Sequence, residues 1–152
     1  MRLFGNQANI LYARGDFDGA MALRKGEKQL CRALESKDGL RASPGNQAIV
    51  LEASGEPLGA LQRQEELERV HHASGDEEGV STLLGKQTEI LKAMGRHKEA
   101  LLALKKQEPL ARDKRDQASL QDYLVARGNI LETLGSLTRA AAAFAEAEGI
   151  CR

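Results

Sequence analysis

Tryptophan is absent from this 152-residue chain, and aromatic residues make up only 3% of it. Without large rings, the core must come from Leu, Ala, Ile and Val within the 41% hydrophobic share, the side chains that let helices approach closely. Few rings also leave little to stack on nucleobases. Net charge is lacking as well. Twenty-two basic residues balance 22 acidic ones, so no overall field draws the chain toward nucleic acid or an anionic membrane. No run of about 18 apolar residues occurs, and the opening MRLFGNQANILYARG holds none long enough for a signal peptide. The expectation is a cytoplasmic protein with neither nucleic acid nor membrane as partner.

Signatures of chemistry are missing too. There is no phosphate loop, nucleophile elbow, His-Glu-x-x-His or paired Cys-x-x-Cys. His71 and His72 are neighbours, so on a helix they point about 100° apart, which suits no single metal ion. His97 stands alone. The chain is therefore expected not to be an enzyme, with no catalytic residue, metal ligand or cofactor.

What the chain does have is repetition every 40 residues. Gly15, Gly55, Gly95 and Gly135 fall at that interval, as do Ala20, Ala60, Ala100 and Ala140. Leu11, Leu51, Leu91 and Leu131 make a third series, and Ile10, Val50, Ile90 and Ile130 a fourth. A fixed period of about 20–50 residues marks an array whose units bury their apolar faces against neighbours. Cys31 and Cys151 occupy one column three periods apart, with His71 and Ala111 between them. A disulfide needs Cα atoms about 4.4–6.8 Å apart, and equivalent positions three repeats apart in a stack lie far beyond that. Both are read as thiols at a packed helix position.

Each unit reads as two helices, A and B. In the third, Leu83, Leu84, Gln87, Ile90, Leu91 and Met94 line one helical face, and Gly95 follows where a left-handed residue ends the helix. Ala100, Leu101, Leu104 and Leu110 resume the pattern. Asp116 is placed to cap the next helix, with Ser36 and Asp76 in its column. The repeats run approximately 1–36, 37–76, 77–116 and 117–152, one repeat domain of eight helices. Pro57 suits the start of a B helix. Pro109 lies inside the third B helix and should bend it near Lys105. Pro44 has two readings: Ser43-Pro44 caps a shortened helix, or the proline sits inside a longer one. Both ends look cut, without polar capping units, which suggests an excerpt of a longer array or a chain that associates end to end.

These residues resemble tetratricopeptide repeats. The family pattern has Ala followed four residues later by Phe in the second helix. Ala140 with Phe144 matches it, and Ala100 with Leu104 matches conservatively. Gly15-Asp16-Phe17-Asp18-Gly19-Ala20 resembles the family's turn into helix B. The Trp is missing, Gln-Ala replaces Leu-Gly, and the period is 40 rather than about 34 residues. The lengthened form is similar to the repeats of kinesin light chains and of large signalling ATPases with repeat tails. The resemblance covers essentially the whole chain and implies an all-α, right-handed α-solenoid of four helix-turn-helix repeats.

It also implies that the A helices line a concave groove. The polar residues there are Asn6, Asn46 and Lys86 in one row, Asn9, Glu89 and Asn129 in the next, and Tyr12, Glu52, Lys92 and Glu132 in a third. An Asn amide both donates and accepts, so a ladder of them can hold an extended peptide backbone, while Lys86 and Lys92 can anchor carboxylates. Asn9, Asn46 and Lys86 resemble part of the clamp some members use for a C-terminal carboxylate, although Gly5 and Thr82 replace its two further lysines. The same amides have a structural reading, as bonds between neighbouring A helices that keep repeats in register. Gln7, Gln47 and Gln87 belong there first, and Asn6 and Asn46 fit either role.

Charge is arranged by segment. Residues 45–80 carry two basic and eight acidic groups, and residues 81–115 nine basic and four acidic. Lys25, Glu65 and Lys105 alternate in sign down one column, as do Glu66, Lys106 and Glu146, which places opposite charges on neighbouring B helices. The expected function is a protein-interaction module holding a peptide or helix in the groove. Two other readings stay open: a structural assembly unit stacking through its uncapped end repeats, and a sensor domain for a short signalling peptide.

Overall fold

The computed structural model describes residues 2–113 and 117–150. Eight helices follow one another: α1 (Arg2–Ala13), α2 (Phe17–Ala33), α3 (Lys37–Ala53), α4 (Pro57–Ser74), α5 (Glu77–Ala93), α6 (His97–Asp113), α7 (Gln117–Thr133) and α8 (Leu137–Ile150). No strand occurs among the described residues. Contacts gather into two compact units, Met1–Ser74 and Gly75–Arg152, each holding two hairpins. In the first, α1 packs on α2, α2 on α3 and α3 on α4; in the second, α5 on α6, α6 on α7 and α7 on α8.

The glycine series ends the A helices as its spacing predicts. Gly15, Gly55, Gly95 and Gly135 all take positive φ, between 72° and 79°. At each, two amides turn back to the helix end. In the first repeat Gly15 N–H donates to the Tyr12 carbonyl at 3.0 Å and Asp16 N–H to the Leu11 carbonyl at 3.0 Å. This paired bonding satisfies carbonyls that the helix itself leaves open. The turn from α2 to α3 repeats it with Glu35 at φ 51°, a side-chain-bearing residue in the left-handed region.

Helix starts follow the expected capping column. Ser36 accepts from Gly39 N–H at 3.4 Å and Asp76 from Gly79 N–H at 2.9 Å. Asp116 lies outside the described residues, as does Cys151. The Ser36 cap decides between the two readings of Pro44, since α3 starts at Lys37 and continues through the proline. Pro44 shares its column with Leu84 and Leu124, and all three are fully buried. The ring is thus held by a core position, which outweighs the helical bond lost at its missing N–H. Helix α6 likewise continues through Pro109 to Asp113.

The alanine column is the tightest part of each hairpin. Ala20, Ala60 and Ala100 are 0% exposed and Ala140 3%. Facing positions on the A helices are equally small and buried: Ala8, Ala48, Thr88 and Gly128. Position 24 of the repeat fills the space beside them with Arg24, Gln64, Leu104 and Phe144, polar in the first unit and apolar in the second. Cys31 is buried, packed closely enough on Gly39 that a Cβ there would collide with its Sγ.

Candidate functional site

Leaving aside Glu132 on α7, nine groove residues divide between the units. Asn6, Asn9 and Tyr12 on α1, with Asn46 and Glu52 on α3, belong to the first. Lys86, Glu89 and Lys92 on α5, with Asn129 on α7, belong to the second.

Three of the nine serve their own hairpin. The Asn9 Oδ1 accepts from Arg24 Nη2 at 2.6 Å, and Arg24 reaches Glu27 at 2.9 Å. Tyr12 packs edge-on to Phe17 with ring centroids 5.8 Å apart. Glu52 accepts from Gln64 Nε2 at 3.1 Å. Glu89 and Lys92 pair with each other, at 2.9 and 3.1 Å. Asn6, Asn46, Lys86 and Asn129 form no side-chain hydrogen bond or ion pair among the described residues; Asn46 is half-buried and the others are exposed.

The glutamine column behaves less uniformly than its spacing implies. Gln47 and Gln87 are buried, whereas Gln7 is exposed. Gln47 donates to Ser43 of its own helix at 3.3 Å, and not to a neighbouring A helix. A residue four positions earlier was the nearer partner.

A cleft of about 350 Å³ lies between α5, α6 and α7. Glu89 and Asp122 stand at it with Gln107 and Ser119, above Thr88, Leu104 and Tyr123. Gln107 Nε2 is held by Ser81 Oγ at 3.1 Å.

On the B-helix side, charges bridge neighbouring helices, though with partners offset from the columns. Lys28 on α2 meets Glu66 on α4 at 2.7 Å, and Arg112 on α6 meets Glu146 on α8 at 2.9 Å. Burial alone would raise the Glu66 pKa, but Lys28 and Arg63 outweigh it and hold the carboxyl below its ordinary value. Periodicity identified the sign alternation but not which long side chains reach each other.

Sequence reasoning missed Tyr123, which sits in the column of Ser43 and Leu83. It is buried, and both burial and the Glu108 carboxylate it bonds push its hydroxyl up to about 12. Glu108 is half-buried, which by itself would raise its pKa; the Tyr123 hydroxyl, Arg112 and Arg127 together hold it low instead. The available signal was a phenol in an otherwise non-aromatic core column.

No protein-family model matches the sequence, and no curated protein sequence matches it. Among solved structures, BtubC (BKLC) from P. vanneervenii is similar with a TM-score of 0.75 and 15% identity, over 97% of this chain and 61% of that one. The chain therefore spans 61% of the length of BtubC. Two others are nearly identical TPR-like repeats from Podosopora anserina, with a TM-score of 0.45, 15% identity and 98% and 93% coverage, and MamA, with 0.38, 15%, 94% and 93%. The fold is that of tetratricopeptide-like helical hairpins, as the repeat pattern predicts. No described helix is long and apolar enough to cross a membrane.

Proposed function

We propose that the chain is a non-enzymatic protein-interaction module whose A helices hold a peptide or helix of a protein partner. The observation that carries this reading is the set of Asn6, Asn46 and Lys86, uncommitted polar groups recurring on the A helices at the repeat spacing, with Asn129 uncommitted in the row of Asn9 and Glu89. Each amide offers a donor and an acceptor to a peptide backbone, and Lys86 offers a cation to a carboxylate. Asn9, Tyr12, Glu52, Glu89 and Lys92 complete the proposed faces, the first three also bracing their hairpins.

The test begins with peptides selected against the protein by display. The best one is then titrated into Asn46→Ala, Lys86→Ala and a doubly reversed Glu65→Lys, Lys105→Glu variant. A lost amide bond at Asn46 weakens binding by about 0.5–1.5 kcal/mol, and the Lys86 contribution falls as salt rises. The reversed variant should bind normally. If it loses binding while both A-face variants keep theirs, the B-helix side is the working surface and the A-face reading fails.

A further inference from the structure

Each unit also has a cleft on its B-helix side, in corresponding places. The first, about 270 Å³, is bounded by α2, α3 and α4 and has mixed charge: Asp18 and Glu56 against Lys25 and Arg63, the last already paired with Glu66. The second, about 230 Å³, lies between α6, α7 and α8 and differs in kind. Lys105, Arg127 and Arg139 line it, where the first unit has Lys25, Gln47 and Gly59. Its one acidic lining residue, Glu108, is engaged by Arg112 at 3.0 Å and by the Tyr123 hydroxyl. Lys105, Arg127 and Arg139 form no salt bridge or hydrogen bond among the described residues. Beside them Leu101 is half-buried and Leu102 is 64% exposed.

Lys105, Arg127 and Arg139 surround one carboxylate that Arg112 and Tyr123 already hold and on which the Arg127 charge also acts, so three cations against one acid leave a local positive excess, next to apolar surface open to solvent. The volume admits one or two side chains and not a whole helix. Arginine forks match carboxylates in two-point geometry, and Leu102, exposed beside Leu101, offers an apolar surface for a neighbouring side chain to cover. We infer that this cleft binds an acidic peptide segment, with a carboxylate among Lys105, Arg127 and Arg139 and its apolar neighbour on Leu101 and Leu102. This site is separate from the proposed A-helix faces, and Lys86 takes no part in it.

The experiment uses the whole chain with labelled leucine methyls, followed by NMR as a capped hexapeptide of alternating glutamate and leucine is added. The expected result is saturable shifts at Leu101 and Leu102, weakening with salt, and about tenfold weaker binding in a Lys105→Glu, Arg139→Glu variant. Both substituted side chains are exposed, so the variant should melt like the parent. The inference is overturned if those methyls do not shift, if a lysine–leucine hexapeptide binds equally, or if the double variant keeps full affinity. Inorganic phosphate producing the same shifts at the same concentration would also overturn it, in favour of a simple anion site.

Discussion

Gly128 on α7 lies against the ring of Phe144 on α8, so close that a Cβ added to the glycine would stand 2.6 Å from the ring's Cζ. The largest side chain of its column faces the smallest of the opposing one. Gly128→Ala should therefore cost about 1–3 kcal/mol, despite alanine's better helix propensity. Adding Phe144→Leu should recover part of that loss, since the two sites share one space. Denaturant unfolding of the two single variants and the double checks this; equal, additive losses would mean the ring simply moves aside.

The alanine column makes a parallel case with the opposite sign of size. Ala100 is 0% exposed where α5 and α6 meet, and Ala100→Leu should overpack that contact by about 1–3 kcal/mol. An unfolding curve that moves by less than a few tenths of a kcal/mol would show that the hairpin yields there.

Glu35 is the reverse, a position where substitution should help. It holds a left-handed conformation that glycine occupies at the other described helix-to-helix turns, at positions 15, 55, 75, 95 and 135. Glu35→Gly should raise stability by about 0.5–1 kcal/mol, the relief of the side-chain clash less glycine's extra freedom when unfolded. Gly75→Ala, at φ 70°, should lower it. The measurement is the unfolding midpoint in denaturant.

Acid and alkali should each lower the stability of the chain through a named group. Glu66 has a folded pKa below 4.5, so its stabilising contribution is full above that value and is lost as pH falls through the lower one. Glu66→Gln should be less stable at neutral pH and show a flatter acid limb. Tyr123 has the opposite sign: raised to about 12, it stabilises fully below about pH 10 and loses that contribution between there and 12. In a Tyr12→Phe background, absorbance titration should place the remaining phenol near 12, and Tyr123→Phe should flatten the alkaline limb of the stability curve.

The hairpins were legible because backbone rules fix them. A glycine after each A helix, a capping residue before the next and an alanine at the closest approach recur at one spacing, and each has a local physical cause. Pro44 was ambiguous because its local signal, a helix start, competed with a core position that only the Leu84 and Leu124 column reveals. The side-chain partners were not legible. Asn9 accepts from Arg24 of its own hairpin, fifteen residues away, a pairing that no 40-residue spacing announces. Nor did spacing reveal that Arg127 and Arg139 share a cleft with Lys105, since a repeat pattern shows what columns have in common and these residues are where the columns differ.

The change down position 24 has a consequence for how the molecule comes apart. Arg24 and Gln64 each keep one buried polar atom, Nε and Oε1, without a hydrogen-bond partner, where Leu104 and Phe144 bring only hydrocarbon. Such orphaned atoms cost about 1–3 kcal/mol each. In repeat proteins stability adds up unit by unit, so a weak stretch can open while the rest persists. Amides of α1 to α4 should thus exchange with deuterium sooner than those of α5 to α8. On heating, the first two hairpins would melt as a separate step, leaving the last two as the seed from which refolding starts.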